Sequence, residues 1–326
     1  MSLITLNLGN KWGISLGLLF LLGIGAGGPG RAAAPPRHVL RIGDAWLLDP
    51  PRPGRFDASA LLLLADGTLL TVNDKELPLY EIQRGTNGTA RLRPRPDLFA
   101  SAQLAAWARE KRGPYDSEGL ALDAAGRIYL CEEGNRWILR LTPGQDRVER
   151  LDIDWSPVRR WFSSTDGNAS FEGIAVGGNR LYVANERSTG RLIEVDLATL
   201  KVTGDFQVAP GGREALDVAY SDLAWFEDRL WVLCRQSRCV LEVDPASRKV
   251  VAEYDYQRVE GDPAYVYATL LPFGFMEGLA VDRDSLWLLV DNNGLPRKKN
   301  LVDQRPTLFR CPRPGRPGAA LPAPGR

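Results

Sequence analysis

The chain has 326 residues, with 41 Lys and Arg against 40 Asp and Glu, so its net charge is close to zero and it lacks the basic excess of a nucleic-acid binder. The single histidine, His38, stands close to the start of the expected mature chain and outside any motif, which argues against a Ser-His-Asp triad and histidine-based phosphoryl transfer, and one histidine excludes a multi-histidine zinc site. The 33 glycines, 23 prolines and 9 tryptophans against 2 methionines suit an all-β protein with many turns.

In chain order, residues 1–11 are polar with one lysine, and Trp12 to Gly25 form an apolar run of signal-peptide length. Small residues then lead to Ala34. This pattern predicts a signal peptide over 1–34, a periplasmic or secreted body, and no membrane span after cleavage; an uncleaved anchor is the alternative. Four cysteines would then meet an oxidising compartment. Cys234 and Cys239 flank a four-residue turn, which suits either a hairpin disulfide or two buried free thiols, while Cys131 and Cys311 lie in other parts of the repeat described next.

From Val39 to about Pro312 one unit recurs. An acidic residue and a small one open an apolar strand, a tight turn follows, and a second apolar strand ends in acid. The clearest copy runs Asp116-Ser117-Glu118-Gly119-Leu120-Ala121-Leu122-Asp123 and closes at Glu132-Glu133. Others open at Glu172-Gly173-Ile174-Ala175 and Glu277-Gly278-Leu279-Ala280, with weaker ones at Asp222-Leu223-Ala224 and Ser59-Ala60-Leu61. The positions 59, 118, 172, 222 and 277 are roughly fifty to sixty residues apart, the period of a propeller blade with four strands. The expected fold is therefore an all-β, four-stranded β-propeller over residues 35–312, with five blades or, alternatively, six. The last copy lacks a fourth strand, which Val39-Leu40-Arg41-Ile42 is expected to supply. One inserted helix is expected over Leu98 to Lys111, and a Pro/Gly-rich disordered tail over 313–326.

In a blade, the start of the first strand and the end of the second lie at the same end of the central channel. Two columns of residues then converge on one mouth: Glu118, Glu172, Asp222 and Glu277, and beside them Asp74, Glu133, Glu186 and Asp291, with Arg235 the odd member. Crowded carboxylates repel one another and need protons or a cation. Oxygen-only ligands outside the cytoplasm suit calcium. The long loops at this mouth bring Arg159, Arg160, Trp161, Arg213, Tyr265, Tyr267, Arg297, Lys298 and Lys299. Of these Arg159, Arg160 and Lys298, with Arg235, are the expected rim for a small anionic ligand or ester. The bland alternative is that each Glu-Gly pair only fixes blade spacing and that the loop charges are solvated.

The Glu118 and Glu172 strings, each followed by an apolar strand ending in Glu, resemble the phytase-like propellers described as "esterase-like activity of phytase", and are similar to the SdiA-regulated propeller family, over roughly Phe56 to Cys311. The resemblance implies calcium-assisted hydrolysis of phosphate or carboxylic esters, with Glu118, Glu172 and Glu277 at the cation and Glu133, Glu186 and Asp291 beside them. In that reading Glu133 or Glu186 is the general base, and Asp222, Asp74 and Asp291 complete the ligand set. The chain departs from a full repeat at Ser59, Asp222 and Arg235 and has no dense acidic cluster of the kind calcium phytases carry. Two other functions fit the sequence: a monomeric, non-catalytic ligand- or protein-binding propeller braced by calcium, and a lactonase resembling gluconolactonase propellers, for which Asn73, Asn185 and Asn292 are available.

Overall fold

The computed structural model describes residues 34–315, apart from 77, 100–103, 105, 108–114, 143, 146, 164–169, 187–189, 213–217 and 271–273. The expected signal segment before residue 34, the tail beyond 315 and rim residue Arg213 lie outside the described residues.

Two N-terminal strands, β1 (Arg37–Val39) and β2 (Asp44–Asp49), precede the repeats. Four-stranded groups follow in order. The first is β3 (Ala58–Leu63), β4 (Leu69–Asn73), β5 (Leu79–Arg84) and β6 (Thr89–Arg95). The second is β7 (Ser117–Leu122), β8 (Ile128–Glu132), β9 (Trp137–Leu141) and β10 (Val148–Arg150). The third is β11 (Phe171–Gly177), β12 (Arg180–Asn185), β13 (Arg191–Asp196) and β14 (Lys201–Phe206). The fourth is β15 (Tyr220–Phe226), β16 (Arg229–Cys234), β17 (Cys239–Asp244) and β18 (Lys249–Asp255). The last has β19 (Met276–Val281), β20 (Ser285–Val290) and β21 (Thr307–Pro312).

Closure comes from the N-terminus, but from a later segment than expected. β2 pairs antiparallel with β21, Asp44 facing Arg310 and Leu47 facing Thr307, and so completes the last group. β2 also runs parallel to β6, which ties the last group to the first at their outer edges. The Val39–Ile42 region does not fill this place; Arg37–Val39 adds instead as a parallel fifth strand on β18. Gly43 separates the two strands where a Cβ would lie 2.9 Å from the Pro312 ring, so the chain passes close under β21. The closing strand covers the outer edges of both β21 and β6.

The first strands pack in a ring: β3 on β7, β7 on β11, β11 on β15, β15 on β19, and β19 back on β3. Between each successive pair of groups among the described residues lies one apolar cluster. Leu120 faces the first group with Ala60 and Leu70, while its neighbour Ala121 faces the third with Ile174 and Leu181. Successive residues of one strand therefore bury against different neighbours, which is why polar alternation along these strands is weak.

The expected helix over 98–111 lies largely outside the described residues; Leu104, Ala106 and Trp107 are helical, and Leu104 is buried with Leu98 and Phe99. A short helix α1 (Gln257–Glu260) and a 3-10 turn (Ser156–Trp161) stand in the loops. All four cysteines are buried free thiols, Cys234 facing Cys239 across the β16–β17 ladder.

Candidate functional site

The register explains how the Glu-Gly openings build the mouth. β7 pairs with β8 as Ser117 to Glu132 and then Gly119 to Cys131, so Glu118 is the extra residue of a β-bulge. Glu172 and Glu277 occupy the same place in β11 and β19. A bulge frees one side chain from the pleat and re-aims it, here toward the channel mouth. The following glycine has a separate task. A Cβ on Gly119 would meet the Gly173 backbone at 2.9 Å, one on Gly173 the Asp222 backbone at 2.5 Å, and one on Gly278 the Ala60 backbone at 3.0 Å. Neighbouring first strands approach backbone to backbone at this level, just beneath the glutamates.

In the fourth group the ladder corrects the sequence alignment by one residue. Tyr220 faces Cys234 and Asp222 faces Leu233, so the bulge residue is Ser221 and Asp222 stands in the glycine position. Asp222 is fully buried. Its Oδ1 accepts from the Leu223 N–H at 2.8 Å and its Oδ2 from the Leu279 N–H at 2.7 Å, and the Leu61 amide also bonds it. It braces three first strands at this level and does not line the mouth.

The other column residues meet. A polar cavity of about 200 Å³ is lined by Asp74, Glu118, Glu133, Glu172, Glu277 and Asp291, together with Arg235, Ser59, Arg55, Lys75, Asp116 and Asn293. Backbone bonds register the second column: the Asp74, Glu133, Glu186 and Asp291 amides donate to Asp57, Asp116, Ser170 and Phe275 carbonyls. Glu172, Glu277, Asp291 and Glu133 are each less than a tenth exposed. One oxygen each of Asp74, Asp116 and Glu118 fall within 4.8 Å of one another. Among the described residues, buried Asp74 Oδ1 and Glu277 Oε2 accept no hydrogen bond.

Charge at the mouth is lopsided. Burial, reinforced by Glu133, Asp116 and Asp74, holds Glu118 well above the usual carboxylate range, against a hydrogen bond from Ser59. Burial and the charges of Glu186, Glu118 and Glu133 do the same to Glu172. Burial pushes Glu277 up to about 7 although Arg235 opposes it. It pushes Asp291 up to about 8 although the Asn293 N–H opposes it. Asp74 is raised by burial against the pull of Lys75. Two cations answer part of this. Arg235 donates from Nη1 to Glu277 and from Nη2 to Glu186, so it belongs to the floor and not the rim. Burial works against its charge, but Glu277, Glu186 and Glu172 outweigh it. Lys75 Nζ lies 2.8 Å from both Asp74 Oδ2 and Asp116 Oδ1.

The expected rim is differently placed. Arg160 donates to Asp205 at 3.0 Å and lies over Trp161, facing β14, and Arg159 and Lys298 are exposed; none of the three lines the cavity. Tyr267 is structural, its hydroxyl donating to the Arg305 carbonyl at 2.7 Å. The sequence columns miss Asp116, Lys75 and Arg55. Asp116 and Lys75 directly flank the column positions, two residues before Glu118 and one after Asp74, and that adjacency was the available signal.

Comparison with known proteins agrees with this architecture. No curated protein matches the sequence. Among solved structures, glutaminyl cyclase of Myxococcus xanthus superposes with a TM-score of 0.55 at 16% identity, covering 85% of this chain and 97% of that one. Virginiamycin B lyase of Staphylococcus aureus superposes with a TM-score of 0.39 at 11% identity, covering 81% of this chain and 68% of that one. The first shows a shared propeller-type fold. The family model described as "Esterase-like activity of phytase" matches residues 56–294, which spans every bulge glutamate and both carboxylate columns. The chain belongs to this phytase-like family of β-propellers.

Proposed function

We propose that the chain is an exported, monomeric, divalent-cation-dependent hydrolase of phosphate or carboxylic esters, working at the acidic mouth. The observation that carries this reading is the convergence of six column carboxylates and Asp116 on one small cavity, against only Arg55, Lys75 and Arg235. The donor set fits a hard cation: every acidic donor is a carboxylate oxygen, Asp74 Oδ1 and Glu277 Oε2 have no hydrogen bond to give up, and the raised pKa values mark charges that a cation would relieve. Asp74, Asp116 and Glu118 would hold it, with Glu172 and Glu277 behind them. Lys75, whose side chain is half exposed, is free to swing away from two of these carboxylates. Calcium suits the irregular oxygen set better than magnesium, which demands near-ideal octahedral geometry. When bound, such a cation polarises the ester oxygen and makes water more acidic.

The chain's own groups supply the rest. Arg235, fixed by two carboxylates, presents a permanent positive charge beside the cavity and orients an anionic substrate. Glu133 lines the cavity beside Glu118 and accepts the proton of the attacking water. Glu186 is committed to Arg235 and is the weaker candidate for that role.

A second reading, a non-catalytic binding propeller, is favoured by one observation: the Arg235 bridge and the Asp222 brace show acids in this region that serve the fold. Assay of generic phosphomonoesters and carboxyl esters, with added calcium and with chelator, separates the two. Calcium-dependent turnover abolished in Glu133→Gln supports the hydrolase. Calcium binding without turnover of any ester supports the binding propeller.

A further inference from the structure

The large apolar side chains most exposed among the described residues are not scattered. Leu270, Val302 and Leu301 are 103%, 89% and 68% exposed, and the next, Val39 and Val251, reach only 46% and 36%. The three leaders lie on two loops, one entering β19 and the other leaving β20, at the same end of the channel as Glu277 and Asp291. The loops are joined: the Ala268 N–H donates to the Pro296 carbonyl and the Lys298 N–H to the Val266 carbonyl, 2.8 Å and 2.9 Å. The second loop is braced at its base. Arg297 Nη2 lies 2.5 Å from Asp303 Oδ2, the Arg297 N–H donates to the Asp303 carbonyl, and Arg305 reaches the same carboxylate at 2.8 Å. A firm base thus holds Leu301 and Val302 out into water beside exposed Lys298 and Lys299. Exposed Arg52 stands on the neighbouring Pro50–Gly54 loop, which shares a cleft with Val302 and Arg305.

We propose that this braced tip is a membrane-docking element that inserts Leu270, Leu301 and Val302 into an anionic lipid surface, with Lys298, Lys299 and Arg52 at the headgroups. Aliphatic side chains flanked by lysines match the two attractions of an anionic bilayer, apolar insertion and charge. Docking this way turns the acidic mouth toward the bilayer, so its substrate would be an ester carried on a lipid; this consequence rests on the hydrolase reading, whereas the docking itself does not.

The test is co-sedimentation of the whole protein with vesicles of phosphatidylglycerol in phosphatidylcholine at low salt, and with pure phosphatidylcholine. The expected result is binding to the anionic vesicles that weakens with salt and falls about tenfold or more in both Leu301→Ser/Val302→Ser and Lys298→Glu/Lys299→Glu. Unchanged melting temperatures in these exposed-loop variants show that folding is intact. Absence of binding by the wild type, or equal binding by the variants, overturns the proposal. So does a concentration-dependent dimer that forms without lipid and is lost in the same variants, since the tip would then be covered by a second copy of the chain. Hydrolysis of a soluble ester by Leu301→Ser/Val302→Ser tests the mouth separately, so the two readings fail independently.

Discussion

Among the described residues, the first strands of the groups run from one end of the channel to the other, and the two ends differ sharply. At the mouth they and their neighbours present Glu118, Glu172, Glu277, Asp74, Glu133 and Asp291. A few residues further along, they enclose a pit of about 140 Å³ whose lining residues all carry apolar side chains, among them Leu63, Leu122, Val176, Trp225 and Val281. There Trp225 covers Gly177, where a Cβ would fall 2.3 Å from the indole, and stacks on Tyr182. The far end shows what ring closure requires: small residues where backbones touch and apolar side chains to fill the bore. Carboxylates are not among those requirements. Their burial at the mouth carries a desolvation cost, and groups perturbed in this way cluster at functional sites.

The largest expected effect breaks the mouth and leaves the far end alone. Glu118→Gln with Glu172→Gln should lower calcium-dependent ester hydrolysis by about 10³-fold or more and abolish stabilisation by calcium. Glu133→Gln should lower kcat by about 10²-fold to 10⁴-fold while keeping the calcium-induced rise in melting temperature, because it removes a base and not the ligand set. Activity and calcium response lost together in that variant would move Glu133 into the ligand set.

Within the mouth the fourth group sharpens the contrast. Arg235→Gln leaves Glu186 and Glu277 buried without their cation and should cost about 3 kcal/mol at pH 8. At pH 6 the cost should be smaller, since the Glu277 carboxyl, raised to about 7, can then take up a proton. Equal cost at both pH values, read from denaturant melts, would show that the arginine acts through packing alone.

The pH dependence follows from the same burial. Glu277 and Asp291 have folded-state pKa values raised to about 7 and about 8, above their unfolded values near 4. The folded chain binds more protons than the unfolded chain across that interval, so the stability they contribute is full below about pH 4 and lost as pH rises toward 8. Chelated protein should therefore lose stability, by an amount on the order of a few kcal/mol, between about pH 4 and pH 8, and calcium should flatten that slope. The smallest effect lies at the far end: Trp225→Ala should cost about 1–3 kcal/mol and leave calcium binding and turnover within twofold, because Trp225 is half-buried packing.

The sequence showed the ring wherever a copy kept Glu-Gly, because both residues are needed there, one on the bulge and one at the backbone contact. It misled in the fourth group because Ser221-Asp222 offers an acid one place late; only the ladder shows Asp222 standing where the others have glycine. The sequence alone puts the closing strand a few residues early because Val39–Ile42 and Asp44–Asp49 are both apolar enough for a strand, and pairing with β21 and β6 decides between them. Lys75, Arg55 and Asp116 were not legible because they flank the columns, and no repeat marks which flanking side chain turns inward. Arg160 reads as rim in the sequence because its loop lies between two groups at the mouth, but Asp205 and Trp161 hold it against β14.

The central claim is that the buried carboxylates form a cation site, and the most direct measurement is the melting temperature at pH 8 of chelator-treated protein titrated with calcium, alongside elemental analysis of protein purified without chelator. The account predicts about one calcium per chain and a melting temperature that rises with calcium concentration in the wild type but not in Glu118→Gln/Glu172→Gln. A metal-free protein whose melting temperature ignores both calcium and chelator would contradict it, and would return these carboxylates to the fold.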